Sequence, residues 1–234
     1  MKNKFIPLTL ILCVSLLATK AQVTYGVHAS FIGSNLSIKA DDPDDDGYGN
    51  FLKTRPSFRA GVVATVPLSK SFAFMPQLNF VSAGSKISGS SSDAQSGVFS
   101  VKGSIKPNFI ELPLNFVYKV GMESGNQFFI GAGPSIAAGI GGKAKVTLEA
   151  AGFPVDPQEG DIKFDGKKDA TDDNMHLKRF NFGGNVVAGY QLSNGLFFQA
   201  NYNLGFNNLS PDADQKIKSR YFGVGVGFNF GGKK

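Results

Sequence analysis

The stretch Tyr221-Phe222-Gly223-Val224-Gly225-Val226-Gly227-Phe228-Asn229-Phe230 decides the fold. Successive side chains of a strand point to opposite faces, so an alternation of period two reports a sheet between two environments. Phe222, Val224, Val226, Phe228 and Phe230 share one face, and Tyr221, Gly223, Gly225, Gly227 and Asn229 share the other. The apolar face is large and aromatic. The opposite face is small and uncharged.

Working back along the chain, the same pattern recurs seven times. Leu196, Phe198, Ala200, Tyr202, Leu204 and Phe206 oppose Gln199, Asn201, Asn203, Gly205 and Asn207. Phe180, Phe182, Val186, Ala188 and Tyr190 oppose Arg179, Asn181, Gly183, Asn185 and Gln191, and Ile110, Leu112, Leu114, Phe116 and Tyr118 oppose Glu111, Asn115 and Lys119. Fainter versions start at Tyr25, Phe58, Phe72 and Phe128, and no stretch shows helical periodicity. Eight strands are expected. Their connections alternate in length: three short ones at 67–70, 119–126 and 193–195, and four longer polar ones at 33–55, 84–103, 141–176 and 207–219. Collecting the long connections at one end is the habit of an antiparallel up-and-down transmembrane β-barrel, with short periplasmic turns and long external loops.

A lipocalin-like soluble carrier would carry the same alternation with its apolar face turned inward. The composition of the polar face decides against it. Asn, Gln, Gly and Ser suit a crowded lumen, whereas an open water-facing surface would be rich in Lys and Glu. Aromatics at strand ends, among them Tyr25, Phe31, Phe72, Tyr118, Tyr190 and Phe230, fit interfacial girdles.

The start of the chain has its own logic. Lys2 and Lys4, the apolar run Phe5 to Thr19 and the site Thr19-Lys20-Ala21 form a secretory signal peptide over residues 1–21, leaving the barrel domain at 22–234. The apolar run is shorter than the roughly 18 residues that a membrane-spanning helix needs. Cys13, the one cysteine, follows the bulky Leu12, so no lipid anchor, disulfide framework or zinc-thiolate site is expected. Cleavage removes Lys2, Lys4 and Lys20 and so halves the formal charge of +6, which leaves little argument for nucleic acid.

The stretch Phe109-Ile110-Glu111-Leu112-Pro113-Leu114-Asn115-Phe116 resembles a strand of the Bacteroidota outer-membrane β-barrel proteins, the PorT-like group. Tyr25-Gly26-Val27-His28-Ala29, Phe58-Arg59-Ala60-Gly61-Val62, Gly131-Ala132-Gly133-Pro134 and Gly189-Tyr190-Gln191-Leu192 are similar to other parts of that family, in the same order. The resemblance implies an outer-membrane location in a Gram-negative cell, contact with outer-membrane lipid and lipopolysaccharide, and passage through the barrel-assembly machinery. The link of PorT itself to type IX secretion is not carried over, and an accessory role in an envelope machine stands as an alternative. One feature departs from the pattern: Phe230 is followed by Gly231-Gly232-Lys233-Lys234, where such barrels usually finish on an aromatic residue.

Candidate sites are few. Glu111, Arg59 and Arg179 are expected to form a lumen charge cluster, mostly as a structural plug, because an unpaired buried charge would be costly. Asp42, Asp44 and Asp46, with Gly47, match the start of a calcium loop, but Lys53 stands where the bidentate Glu belongs. An acidic solvated loop is the plainer reading. The segment from Gly141 to His176 mixes lysines with acids as a mobile surface loop would. His28 and His176 are the only histidines, and neither stands in a Ser–His pattern that signals nucleophilic catalysis. No enzyme activity and no cofactor are expected.

Overall fold

The computed structural model describes residues 23–40, 51–93, 97–150, 153–154, 157–168, 172–212 and 214–230. The signal segment at 1–21 and the aspartates Asp42, Asp44 and Asp46 lie outside the described residues. The described chain is all-β. Its strands are β1 (Thr24–Ala40), β2 (Leu52–Pro67), β3 (Phe72–Ser82), β4 (Ser85–Asp93), β5 (Gly97–Gly121) and β6 (Gln127–Ala150), followed by β7 (Phe153–Pro154), β8 (Gln158–Lys163), β9 (Met175–His176), β10 (Phe180–Gln191), β11 (Leu196–Gly205) and β12 (Gln215–Phe230).

Antiparallel ladders join β1 to β2, β2 to β3, β3 to β5, β5 to β6, β6 to β10, β10 to β11 and β11 to β12. A further ladder, from Tyr25 opposite Phe230 to Ala40 opposite Gln215, brings β12 back to β1. Each strand of this circuit therefore has a partner on both sides. β4 extends the wall between β2 and β5, and β7, β8 and β9 extend it beside β6. Two of the short turns are alike: Gly125 and Gly195 have φ of 77° and 94°, a conformation that favours glycine, and each donates its N–H to the carbonyl three residues back.

The facing of the strands follows from burial. Arg59, Gln77, Asn79, Glu111, Asn115, Asn185, Asn201 and Asn203 are buried, while Phe222 and Val224 are 53% and 50% exposed. The apolar face points outward. A carrier with the apolar face inside is thereby overturned. On β12 the outward apolar run spans Phe222 to Phe230, about 27 Å along the strand. With a strand tilt near 40° it is roughly 20 Å high, comparable to the lipid-facing band of a membrane barrel. Rings pair at its rims, as in Phe128–Tyr190 at 4.6 Å, Phe72–Tyr118 at 5.1 Å and Phe58–Phe80 at 5.7 Å between centroids.

The inside is layered. Next to the short turns, Val63, Ala73, Met75, Val117, Phe129, Val187 and Phe197 form an apolar layer. Gly189 and Gly227 make room for it, since a Cβ on either would lie 2.2 Å from the ring of Phe129 or Phe197. The polar residues occupy the middle. Toward the opposite end a second apolar layer gathers Ile32, Leu36, Ile105, Phe109, Phe164, Leu177 and Ile217, among others.

That second layer corrects the expected connections. The polar stretches at 33–55, 84–103, 141–176 and 207–219 are not loops throughout: β1 continues to Ala40, β4 fills 85–93, β6 continues to Ala150 and β12 begins at Gln215. Above the apolar band the phase of the alternation inverts. On β1, Ile32, Ser34 and Leu36 turn inward, whereas Lys39 is exposed. Water now bathes the outer face, and the apolar side chains move to the interior. The segment from Gly141 to His176 likewise contributes Ile162 and Phe164 to the core, so its described part is packed structure.

Candidate functional site

The polar middle layer is built around Glu111 of β5. Its Oε1 accepts hydrogen bonds from Asn203 Nδ2 at 2.9 Å, Tyr221 Oη at 2.9 Å and Ser135 Oγ at 3.2 Å. Its Oε2 lies 2.7 Å from the same phenol and 3.4 Å from Arg59 Nε. Arg59 of β2 is wholly buried and Glu111 is 3% exposed. The Arg59 Nη2 donates to Gln77 Oε1 at 2.5 Å. With the Asn79 carboxamide turned to suit its neighbours, its oxygen accepts from Arg59 Nη2 at 2.6 Å and its nitrogen meets His28 Nε2 at 2.9 Å. Gln199 approaches the other ring nitrogen at 3.2 Å. A neutral imidazole has one N–H, so one of these two amides must present oxygen to it.

The sequence places each of these groups by the same rule. Arg59, Gln77, Asn79, Glu111, Ser135, Gln199, Asn203 and Tyr221 all occupy inward positions of the alternation. Closing the circuit brings positions far apart in the chain to one level. Beside the hub, Asn185 Nδ2 donates to Asn115 Oδ1 at 2.9 Å.

Arg59 and Glu111 come together as expected. Arg179 does not join them. It lies exposed, just before β10 begins, and its carbonyl accepts from the Gly139 N–H. Its parity matches that of inward Asn181, but at the strand end a long guanidinium can remain in water and avoid desolvation. The expectation missed Tyr221 and Asn203 as partners of Glu111. A signal was present for Tyr221, a large phenol on a face otherwise made of glycine and asparagine, because a buried hydroxyl needs an acceptor.

This chemistry holds the buried charge in place. Glu111 spends both oxygens on four donors, and no hydrogen bond joins either histidine to a serine among the described residues. No group of three His, Cys, Asp or Glu that could hold a metal occurs among the described residues.

A separate cluster lies outside the apolar band. His176 Nδ1 is 2.7 Å from Asp165 Oδ1, and its Nε2 is 2.8 Å from Asp172 Oδ1. Lys163 Nζ also reaches Asp172, at 2.6 Å. The hydrogen bond to Asp165, then that to Asp172, raises the His176 pKa above its ordinary value; Asp165 is lowered chiefly by its bond to His176, and Asp172 chiefly by its bond to Lys163 and then by that to His176.

Residues 19–210 match the family model described as outer membrane protein beta-barrel domain. The chain belongs to that family. Three solved structures are similar to the chain over most of its length, each at a TM-score below 0.5. Ail, the attachment invasion locus protein of Yersinia pestis, is 13% identical, with 89% of this chain and 99% of that chain covered and a TM-score of 0.40. Neisserial surface protein A is 10% identical, with 88% and 97% covered and a TM-score of 0.42. OprG from Pseudomonas aeruginosa is 12% identical, with 89% and 94% covered and a TM-score of 0.40. No curated protein matches the chain. In an outer-membrane β-barrel domain, the layered interior and the apolar exterior have one common meaning: the wall faces lipid, and the lumen is packed with side chains.

Proposed function

We propose that the chain is an eight-stranded, up-and-down outer-membrane barrel of the Bacteroidota PorT-like type, exported by its N-terminal signal peptide. Its role is structural or adhesive, exercised through the strands and connections that rise above the membrane, and it is not an enzyme. The single observation that carries this reading is the outward apolar band flanked by aromatic pairs, wrapped around a buried polar layer. The filled interior argues against conduction, since an eight-stranded barrel is just wide enough for side chains. The short turns face the periplasm in this reading, and outer-membrane lipid and lipopolysaccharide contact the band and its upper rim. Assembly uses the barrel-assembly machinery, and no nucleic acid or cofactor is involved.

A boiled-versus-unboiled gel of the detergent-extracted outer membrane tests it. A band that shifts on boiling is the expected result. A freely soluble protein whose mobility ignores boiling would refute it. An accessory role in an envelope machine predicts co-purification of partner proteins with the folded band.

A further inference from the structure

The wall above the apolar band carries lysines that face one another across its ladders. Lys39 stands directly opposite Lys216, Lys53 opposite Lys86, and Lys106 opposite Lys143. Like charges directly across an antiparallel pair repel. All six are exposed, and Lys218 and Arg220 add to the same rim on β12.

The pair on β5 and β6 is the most defined. Lys106 and Lys143 line a groove of about 420 Å³ together with Ser82, Ser104, Asn108 and Lys145. Glu159 also lines it, but it is ion-paired with Lys145 at 3.3 Å. Asp161 flanks Lys143 on the β8 side in register, without forming an ion pair. Neither Lys106 nor Lys143 has an ion-pair or hydrogen-bond partner among the described residues. The groove thus presents two ammonium groups without a direct ion-pair partner beside two serine hydroxyls and a carboxamide.

Its position says what would fill it. A bulge between Asn108 and Phe109 leaves Ile140 without a partner across the ladder. Ile140 is 56% exposed and Ile110 39% exposed, and with them the outward apolar run of this wall ends. Asn108 is the next outward residue above Ile110, and Lys106 the next after that. The groove therefore opens where a lipid head group meets the wall, and flexible lysine stems can lean toward that level.

We propose that this groove seats a phosphate group of an outer-leaflet lipid, with Lys106 and Lys143 as its two cationic sides. The inference rests on the membrane reading above and adds the head-group chemistry and the residues. A phosphate between the two ammonium groups turns a repulsive pair into a bridged one, and the serine and asparagine donors serve the remaining oxygens. An anchored phosphate fits better than a free one because the site adjoins the apolar band.

The test is native mass spectrometry of the detergent-folded protein titrated with bisphosphorylated lipid A and with its dephosphorylated counterpart. The wild type is expected to prefer the phosphorylated form, and K106Q/K143Q to bind it about thirtyfold more weakly, from the typical contribution of two basic side chains near a charged lipid surface. K70Q, at the short-turn end, is expected to bind like the wild type. Equal binding of both lipids by the wild type, or an unchanged affinity in K106Q/K143Q, would overturn the proposal. So would inorganic phosphate competing as effectively as the lipid. A boiled-versus-unboiled gel on the same samples separates the two readings. Folded, heat-modifiable protein without phosphate preference sinks only the lipid site, whereas protein that folds without detergent sinks the membrane reading and the site with it.

Discussion

Replacing Glu111 by alanine is the sharpest perturbation of the interior. The change leaves the Arg59 guanidinium wholly buried with only Gln77 and Asn79 beside it, and it strips the acceptor from Ser135, Asn203 and Tyr221. Breaking a buried pair from one side costs about 3–5 kcal/mol. Each orphaned donor adds roughly 1–3 kcal/mol when considered alone. These groups share one carboxylate, so their costs do not add. A total near 5 kcal/mol is expected for Glu111→Ala, on the order of the single-partner penalty. Glu111→Gln keeps an acceptor for the phenol but offers an amide N–H₂ to Arg59, and about 3 kcal/mol is expected. Removing both charges in R59M/E111L spares the desolvation of an unpaired ion, so the double variant should be less damaged than Glu111→Ala alone. The assay is urea unfolding of the detergent-folded protein, with the fraction of heat-modifiable band as the signal. A Glu111→Ala midpoint matching the wild type, or a double variant weaker than Glu111→Ala, would refute the reasoning.

Facing, packing and pH give three more tests. Val224→Arg puts a charge on the outward band and should cost about 2–4 kcal/mol near mid-membrane, whereas Asn201→Arg points inward and should deplete the outer-membrane band less. The reverse order in a fractionation series would show the faces to be misassigned. Gly227→Leu drives a side chain into the ring of Phe197, with an expected loss of roughly 1–3 kcal/mol from overpacking; an unchanged unfolding midpoint would contradict the inner apolar layer. His176 between Asp165 and Asp172 has a raised pKa, so its contribution is full below its unfolded value and is lost as pH rises through the folded one. The two aspartates have lowered values, so their share appears above the unfolded carboxylate range and is lost as pH falls through the folded one. Amide protection factors over 172–178, with the intrinsic base catalysis of exchange divided out, should therefore be highest in mildly acidic solution and should fall toward alkaline pH, with H176Q showing no such fall. An identical alkaline loss of protection in H176Q would eliminate the clasp.

How much of this was legible in the sequence depended on which solvent each strand segment meets. Within the band, one face touches lipid and the other a polar lumen, so Tyr25 to Phe31 and Phe222 to Phe230 read clearly as strands. Beyond it, Ile32, Leu36 and Ile217 are buried while Lys39, Lys216 and Lys218 face water. The apolar parity switches at Phe31 and again at Phe222, and a reading that follows one apolar face ends the strand at the switch. The expected loops at 33–55 and 207–219 arose in that way. Glu111 and Arg59 were legible as a pair because both are charged at inward parity. Arg179 shares that parity, but alternation says nothing of height along the barrel axis, and at a strand end water remains available. The His176 cluster was not legible, because its partners come from an irregular segment whose register no periodicity reports.

The buried pair also bears on how the circuit finds one register. Sliding any strand by a single residue exchanges its faces, so a slip in β5 would carry Glu111 and Asn115 into lipid and turn Ile110 and Phe116 inward. The apolar band alone penalises that slip but tolerates a shift by two residues, which restores parity. A two-residue shift of β5 against its neighbours would move Glu111 about 7 Å along the strand. That displacement exceeds the reach of every hydrogen bond it makes to Ser135, Asn203 and Tyr221, and it leaves Arg59 alone in the middle layer. Alternation thus selects the face, and the Glu111 hub selects among the registers that share it. On this argument R59M/E111L retains the barrel and loses discrimination between registers. Cysteine pairs make the difference measurable: Ile110 and Ala138 are opposite in the native ladder, so I110C/A138C cross-links efficiently in the wild-type background. The charge-free variant should divide its cross-links between Ala138 and the position two residues away, whereas a single native cross-link in both backgrounds would remove the register role from the pair.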